Sequence, residues 1–400
     1  MNKVLLLFAV AMVIAACSCS PNSSSDDDNG NGEPITTSEF VIGADLSYVN
    51  QILDHGGVYK DEGVEKDPYQ IFAEKGTEVV RFRLFHDPQW IKDAYEDQDK
   101  QLYHNVEDVA LGIQRAKDQG MEVLLNFHYS DIWADPANQE VPAAWDGESF
   151  EAVKDSIYQY TYATLSKLNE DGLLPEMVQV GNETNSGMVH PYGEVYGDAT
   201  WQELGQLINS GISAVREIED ESGEEIKVML HIAQPENVSY WFSQITEIAG
   251  VRDFEVVGFS YYTPYSDVPL NEISAYVESF RNDFEREVMI LETAYSWTFE
   301  GADDYNNLFY TESLVDGFPA SQEGQRDFMI ELVKEVLEGG GSGVFYWEPA
   351  WITSDLQDLW GTGSSWENNA LFDFEGNAHT GFEYMSFDYE TGTDRLKERD

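Results

Sequence analysis

Short apolar runs alternate with helical patterns along this chain from about residue 38 onwards. Several of the runs are apolar at almost every position, which is typical of parallel strands that are covered on both faces. Eight predicted strands span residues 40–47, 78–85, 122–130, 177–183, 226–233, 255–262, 287–295 and 343–351. Apolar residues at helical spacing predict helices between them, near residues 106–116, 149–168, 201–217, 271–283 and 324–338.

This order of elements predicts the α/β class, as a single (β/α)8 TIM barrel with long βα loops over residues 38–390. A doubly wound open sheet is the main alternative. It is disfavoured because no glycine-rich phosphate-binding loop follows the first strand. No internal repeat or linker divides the segment, so we expect one folded domain and then a charged tail, residues 391–400.

The first 17 residues have the pattern of a bacterial lipoprotein signal peptide. Lys3 precedes an apolar stretch that is too short to cross a membrane, and small residues precede Cys17. The segment from Ile14 to Cys17 resembles a lipobox, in which the cysteine is lipidated and becomes the mature N-terminus. An ordinary signal peptide cleaved nearby is the alternative. We therefore predict lipidation at Cys17.

Residues 18–37 are polar and rich in serine, glycine and acid, which predicts a disordered tether. The acidic triplet Asp26, Asp27 and Asp28 resembles the export signal of surface lipoproteins in Bacteroidetes, and a solvated linker is the alternative. Both interpretations place the folded domain outside the cytoplasm. The first predicts a surface-exposed lipoprotein of the outer membrane, which contacts the membrane only through its lipid.

Charge and cysteine content narrow the range of partners. The chain has 75 acidic and 22 basic residues, a formal net charge of −53, which excludes nucleic acid and anionic lipid as partners. The same charge argues against a polyanionic substrate and favours a neutral one. The only two cysteines, Cys17 and Cys19, precede the predicted domain, which therefore has no disulfide, thiolate metal site or cysteine nucleophile. The oligomeric state cannot be read from these features, and we expect a monomer.

Polar and aromatic residues follow the predicted strands, at the end of the barrel where functional groups collect. Glu183 and Glu292 each come directly after a long apolar run. Two carboxyl groups across one pocket can cleave a glycosidic bond, because one protonates the leaving oxygen while the other attacks the anomeric carbon. Their proximity would also separate their pKa values. A cap or an ion-pair partner is the alternative for a single glutamate.

Arg81 and Arg83 alternate along one strand and so face the same side of the barrel, where Glu183 or Glu292 could neutralise them. A purely structural buried ion pair is the alternative. The histidines lie on different strands without a metal-binding spacing, which argues against a catalytic metal. His128 and His231 are better interpreted as donors to sugar hydroxyls or as residues that orient the acids.

Tryptophans are concentrated in or just after the predicted βα loops, which favours a carbohydrate cleft because sugar faces stack on flat rings. These tryptophans are Trp133, Trp145, Trp297, Trp347, Trp351, Trp360 and Trp366. The predicted substrate-binding set also includes Trp133, from this concentration of tryptophans, and Asp45 and His231, from their positions at the ends of the first and fifth predicted strands.

Long segments of the chain resemble the endo-β-1,4-galactanases, family 53 of the glycoside hydrolases. The matching segments, in order, are residues 80–88, 120–136, 141–145, 178–191, 257–262, 290–298, 343–352 and 364–378. The resemblance implies a retaining double displacement with Glu183 as acid/base and Glu292 as nucleophile. It implies that Asn182 binds the C2 hydroxyl of the sugar under attack. The residues that would shape the subsite around that sugar are Arg83, His128, Tyr262 and Trp347.

The implied substrate is neutral β-1,4-galactan of type I arabinogalactan, cut internally and without a catalytic cofactor. Calcium-binding members of the family share an acidic loop after the nucleophile, with Asp, Asp, His and Asn at alternate positions. Residues 301–307 keep Asp303 and Asn307 as candidate ligands of a structural calcium, but Tyr305 stands where histidine would, which argues against it. Two functions remain as alternatives: a related retaining endo-glycanase on mannan or xylan, and a non-catalytic surface glycan-binding lipoprotein.

Overall fold

The computed structural model describes residues 40–390 and 393–394. The predicted signal peptide, the tether and Cys17 lie outside the described residues, as does the predicted tail apart from Thr393 and Asp394. Within the described part, no helix has the length and apolar character needed to cross a membrane.

Eight parallel strands close into a barrel in chain order, and the last strand pairs with the first. The strands are β1 (Val41–Asp45), β2 (Val79–Leu84), β3 (Glu122–Phe127), β4 (Met177–Val180), β5 (Lys227–Ala233), β6 (Val256–Tyr261), β7 (Glu287–Thr293) and β8 (Gly343–Tyr346). This arrangement confirms the predicted (β/α)8 barrel.

Several predicted strands continue past the observed ends, because the backbone leaves the sheet there in a left-handed conformation. Tyr129 after β3, Glu183 after β4 and Glu348 after β8 have φ values of 49°, 44° and 46°. Such values are uncommon for residues with a side chain and cluster at functional sites. All three turns lie at the carboxyl end of the barrel.

The helices that cover the barrel, in the part that the structure describes, are α1 (Val49–Asp54), α2 (Pro68–Lys75), α3 (Trp90–Ala94), α4 (Val106–Asp118), α5 (Phe150–Glu170), α6 (Asp198–Ser222), α7 (Pro235–Ser243), α8 (Ile273–Phe284) and α9 (Gln322–Glu338). The five predicted helices are confirmed. The sequence did not predict α1, α2, α3 or α7, because about two turns or fewer show too little periodicity. Helices α2 and α7 begin with a proline, and Asp67 caps α2 by accepting the Tyr69 N–H at 2.8 Å.

The interior of the barrel is divided into an apolar and a polar layer. At the amino end, alternate strand residues form a separate apolar cluster, which consists of Val79, Leu124, Met177, Met229, Val256, Met289, Leu291 and Phe345. Gly43 makes room for the Phe345 ring, because a Cβ at position 43 would lie 2.2 Å from its Cδ1. Inward positions above this cluster, on six strands, form what we call the polar layer: Asp45, Arg81, Asn126, Gln179, His231 and Ser260. All six side chains are buried.

Candidate active site

A cavity of ≈ 490 Å³ opens at the carboxyl end of the barrel, above the polar layer. The wall residues on or just after strands are Tyr48, Arg81, Arg83, His128, Asn182, Glu183, Glu292 and Trp347. Those on longer loops are Trp133, Ala134, Asp135, Tyr305, Leu308, Trp351, Asp358, Trp360 and Ser365. The two predicted carboxyl groups therefore face one concave site of a size suited to a ligand.

Glu292 reaches the cavity because β7 contains an irregularity in its pairing. Met289 and Leu291 both point into the barrel, so strict alternation would turn Glu292 outwards. The register of β7 shifts against both neighbours here: Phe259 pairs with Ile290, but Ser260 pairs with Glu292. The extra residue at Leu291 returns the Glu292 side chain to the inside, as β-bulges beside active sites do.

The Glu292 carboxylate is held by a cation and a phenol. Arg81 Nη2 lies 2.8 Å from Glu292 Oε1, and the Tyr262 hydroxyl donates to Oε2 at 3.1 Å. Arg81 Nη1 also pairs with Asp45 Oδ2 at 2.8 Å. Burial raises the pKa of Glu292, while the charge of Arg81 acts in the opposite direction and favours the carboxylate.

Glu183 has no cation in hydrogen-bond contact among the described residues. Its Oε1 accepts a hydrogen bond from Ser260 Oγ at 2.6 Å. Burial, followed by the negative charge of Glu292, raises the pKa of Glu183 to about 8. A proton shared by the two acids therefore resides on Glu183, because Arg81 stabilises the ionised form of Glu292 directly.

Asn182 lies on the cavity wall, but most of its amide is already engaged. Its Oδ1 accepts from Arg81 Nη2 at 2.8 Å and from Asn126 Nδ2 at 3.0 Å, and its Nδ2 donates to Ala134 O at 2.8 Å. One Nδ2 hydrogen is left for the cavity. A sugar hydroxyl could therefore only accept a hydrogen bond from this residue.

Arg83 is buried and faces the cavity with donors to spare. Its Nη1 pairs with Glu348 Oε1 at 2.6 Å, and its guanidinium carbon lies 4.3 Å from the centroid of the Tyr48 ring. Its Nε and Nη2 have no hydrogen-bond partner in the described part of the chain. Buried donors of this kind are costly unless a ligand or water accepts from them.

The structure brings most of the predicted substrate-binding residues together at the cavity. His128, Trp133 and Trp347 line it alongside Arg83 and Asn182. Backbone N–H of Ala134 donates to His128 Nδ1 at 2.9 Å, which fixes that ring. Tyr262 is set back from the wall and contacts the site through its hydrogen bond to Glu292.

Asp45 and His231 do not reach the cavity, which corrects their predicted role in substrate binding. Both side chains are fully buried in the polar layer, and protein groups occupy their polar atoms. Asp45 accepts from Arg81 and from Ser47 Oγ at 2.5 Å. His231 contacts Ser260 Oγ through Nε2 at 3.0 Å. Their inward positions are one layer below the rim, so they support the acids instead of touching a ligand.

The predicted aromatic rim is confirmed in part. Of the seven tryptophans, Trp133, Trp347, Trp351 and Trp360 line the cavity. Trp366 is buried behind the wall, and its Nε1 donates to the carbonyl oxygen of Trp347 at 3.0 Å. The other two, Trp145 and Trp297, are not on the wall.

Sequence reasoning missed several groups that the structure places at the site. It foresaw an acidic partner for the arginines, and Glu292 fills that role for Arg81, but Glu348 as the partner of Arg83 was not anticipated. The hydrogen bond from Ser260 to Glu183 has no local sequence signal, because the two residues are 77 positions apart. Only the inward register of a predicted β6 could have indicated Ser260.

Of the two candidate calcium ligands, Asp303 accepts hydrogen bonds from backbone N–H groups, whereas Asn307 Oδ1 is buried without a hydrogen-bond partner among the described residues. Asp303 Oδ1 accepts from the Tyr305 N–H at 2.7 Å, and Oδ2 accepts from the Ser364 N–H at 2.9 Å. The Tyr305 hydroxyl, where the family has histidine, donates to Asp358 at 2.8 Å. Within residues 40–390 and 393–394, no cluster of three or more His, Cys, Asp or Glu side chains is placed to hold a metal.

We expect that chelation leaves this protein unchanged. Treatment with EDTA should shift Tm by no more than about 1 °C. If a calcium ion stabilised the folded state, its removal would lower Tm by more than this. Differential scanning calorimetry with and without EDTA measures the shift. A large fall in Tm that added calcium reverses, in wild type but not in Asp303→Ala, would contradict this expectation.

Known proteins with similar sequences are glycoside hydrolases. The profile of glycosyl hydrolase family 53 matches residues 41–385. An arabinogalactan endo-β-1,4-galactanase of Cellvibrio japonicus (strain Ueda107) is 42% identical over 356 residues, which cover 88% of this chain and 92% of that protein. An endo-β-1,4-galactanase of Bacillus subtilis (strain 168) is 34% identical, with 85% of this chain and 83% of that protein covered.

Solved structures give the same result. The Ignisphaera aggregans GH53 catalytic domain matches with a TM-score of 0.77 and 31% identity, covering 88% of this chain and 97% of that one. A structure described as one of two fungal β-1,4-galactanases matches with a TM-score of 0.74 and 27% identity, covering 87% and 99%. An exo-β-1,4-mannosidase of an Opitutaceae bacterium, at 13% identity and a TM-score of 0.54, shares the fold alone.

Proposed function

The chain belongs to glycosyl hydrolase family 53, and we propose that its cavity hydrolyses internal β-1,4-galactosidic bonds of galactan with retention of configuration, Glu183 and Glu292 being the catalytic residues. The observation that carries the proposal is the unequal environment of the two acids in one cavity. The Glu292 carboxylate pairs with Arg81, whereas the hydrogen bond of the Glu183 carboxyl group, among the described residues, comes from the Ser260 hydroxyl. An ionised and a protonated carboxyl group are what the first step requires.

In the first step the Glu292 carboxylate attacks the anomeric carbon as the glycosidic bond breaks, and Glu183 transfers its proton to the departing oxygen. The product is a galactosyl ester of Glu292, and its formation removes the negative charge that raised the pKa of Glu183. Glu183 has given its proton to the leaving group, so it is ionised when water arrives, and it takes a proton from that water as the oxygen attacks the anomeric carbon. The ester bond between the anomeric carbon and Glu292 breaks, and both acids return to their starting protonation states.

The rest of the wall would bind the polysaccharide. Trp133, Trp347, Trp351 and Trp360 offer flat apolar faces, and Arg83 supplies unpartnered donors to sugar hydroxyls. A neutral galactan does not suffer the repulsion that a chain of net charge −53 would exert on a polyanion.

A panel of neutral polysaccharides tests this function. We expect the wild-type protein to release oligosaccharides from β-1,4-galactan and to leave β-1,4-mannan and β-1,4-xylan intact, as measured by reducing-sugar release with product sizing. Early products longer than two sugars would establish internal cleavage. Greater activity on mannan or xylan would contradict the substrate, and binding without release of reducing ends would contradict catalysis.

We also propose that the enzyme is a surface lipoprotein attached through Cys17. The support is the sequence pattern alone, because these residues lie outside the described part of the chain. We expect Cys17→Ala to abolish incorporation of labelled palmitate in a bacterial host and to release the protein from the membrane fraction. Cys19→Ala is the matched control and should leave both unchanged. Equal labelling of the two variants would contradict the assignment.

A further inference from the structure

Behind Glu183, four residues form a continuous chain of side-chain contacts through the polar layer. Ser260 Oγ lies 2.6 Å from Glu183 Oε1 and 3.0 Å from His231 Nε2. His231 Nδ1 lies 3.1 Å from Gln179 Nε2. Gln179 Oε1 in turn accepts from Arg81 Nε and Nη2, both at 3.2 Å. This chain of contacts connects the permanent cation of Arg81 to Glu183 Oε1. The direction in which its hydrogen bonds are donated decides whether Oε1 carries the acid proton.

The arginine sets the direction at one end. A guanidinium can only donate, so the amide oxygen of Gln179 must face Arg81 and the amide nitrogen must face His231. Gln179 Nε2 donates one hydrogen to Gly181 O at 2.8 Å, and its other hydrogen faces His231 Nδ1 and Asn182 Oδ1, at 3.1 and 3.0 Å. Burial lowers the pKa of His231, and the charge of Arg81 lowers it further, so the ring is neutral and carries one hydrogen.

The position of that hydrogen follows from the neighbours of the ring. Besides Gln179, the one polar contact of His231 Nδ1 among the described residues is Asn182 Oδ1, at 3.1 Å. That oxygen already accepts from Arg81 at 2.8 Å and from Asn126 at 3.0 Å. A carbonyl oxygen has two lone pairs, so it has no capacity left for a hydrogen on Nδ1. His231 therefore carries its hydrogen on Nε2 and donates it to Ser260.

Ser260 has one hydroxyl hydrogen, and the Nε2–H of His231 already donates to its oxygen. Among the described residues, Glu183 Oε1 is the one acceptor left for the hydroxyl hydrogen, so Ser260 donates to Oε1 whether Glu183 is ionised or protonated. In a protonated carboxyl group the carbonyl oxygen is the better acceptor, so this bond favours Oε1 as the carbonyl oxygen. The proton that Glu183 exchanges is thus held on Oε2, for which the described residues provide no hydrogen-bond partner.

We propose that Ser260 and His231 are positioning residues, which fix the exchangeable proton of Glu183 on Oε2 in both steps of the reaction. The inference rests on the proposed role of Glu183 as acid/base. Neither residue lines the cavity, so both act through Glu183 and not on the sugar.

The serine is tested with a pair of variants. We expect Ser260→Ala to lower kcat/KM on β-1,4-galactan about tenfold, as loss of a hydrogen bond to an ionisable group would. The fall of kcat/KM at basic pH should also move to higher pH, because the lost donor stabilised the ionised form of Glu183. Ser260→Thr keeps the hydroxyl and should restore both values towards wild type. Ser210→Ala, which removes a hydroxyl that donates to Lys154 O on the outer helices, should change neither.

The other groups that act on the Glu183 titration are present in all of these variants. Glu292 and Asp135 raise the pKa of Glu183, Arg81 lowers it, and Tyr262 faces it from the end of β6. An unchanged kcat/KM and pH profile in Ser260→Ala would overturn the proposal. Equal losses in Ser260→Ala and Ser260→Thr would assign Ser260 to packing and would overturn it as well.

The histidine is tested without turnover. In protein labelled with ¹⁵N-histidine, long-range ¹H–¹⁵N correlation, assigned with a His231→Gln variant, should show His231 protonated on Nε2 at neutral pH. Protonation on Nδ1 would overturn the proposal even if the enzyme is active. A wild-type protein that does not cleave galactan would instead contradict the proposed function. The NMR measurement would still show which nitrogen of His231 is protonated.

Discussion

Replacing Glu292 with glutamine should abolish galactan hydrolysis, with a loss in kcat of about 10⁴-fold or more. Glutamine has nearly the same shape, its amide oxygen can still accept from Arg81, and its NH2 can donate to the Tyr262 hydroxyl oxygen, but an amide is a poor nucleophile. The fold should survive, because Asp45 remains to neutralise the buried guanidinium of Arg81. Reducing-sugar release from β-1,4-galactan measures the loss, and circular dichroism measures the fold.

Glu278→Gln is the matched control for this experiment. Glu278 is an exposed residue of α8, away from the cavity, so the same chemical change there should leave kcat unaltered. Activity close to wild type in Glu292→Gln would remove Glu292 from the mechanism. Unfolding of Glu292→Gln would point instead to a structural role. Glu292→Asp keeps the negative charge beside Arg81 but shortens the side chain, so a folded and inactive Glu292→Asp protein would separate the chemical role from the structural one.

Replacing Glu183 with alanine should lower kcat on galactan by about 10²–10⁴-fold, since proton transfer contributes that much. With an aryl β-galactobioside whose leaving group needs no proton, the first step should persist and the glycosyl-enzyme should accumulate. Azide should then restore turnover, because it attacks the anomeric carbon without base assistance. The expected product is a β-configured glycosyl azide, identified by NMR.

The pH dependence gives a second and independent reading of the same residue. The general acid is active when protonated, so wild-type kcat/KM should fall as pH rises through the pKa of Glu183, about 8. The acidic limb should follow protonation of Glu292. In Glu183→Ala the basic limb should be absent. A basic limb that persists in this variant, or an α-configured azide product, would contradict the assignment.

The sequence predicted the barrel and the two acids because both depend on local patterns. Continuous apolar runs mark buried parallel strands, and a glutamate directly after such a run must lie at a strand end. The path by which Glu292 enters the cavity was not predictable. Alternation from Met289 and Leu291 points it outwards, and only the register shift of β7 against its neighbours reverses that direction.

The depth of each side chain was also beyond the sequence. Asp45 and His231 are polar and close to strand ends, so they were grouped with the residues that touch substrate. In the structure, the stagger of the strands places them one inward position below the rim, where Arg81 and Ser260 occupy their polar atoms. Which polar residue lies at the surface of a cavity and which lies beneath it depends on that stagger.

The exposure of Trp360 gives the protein an optical reporter of its own binding site. All ten tryptophans of the sequence lie in the described part, and among them only Trp360 is largely exposed, at 66% of its surface. Its ring lies 5.0 Å from that of Trp133 on the cavity wall. Collisional quenchers such as acrylamide therefore act mainly on this one fluorophore, and a polysaccharide that stacks on it shields it. Occupancy of the site can thus be followed by fluorescence with the catalytically inactive Glu292→Gln protein, without a label.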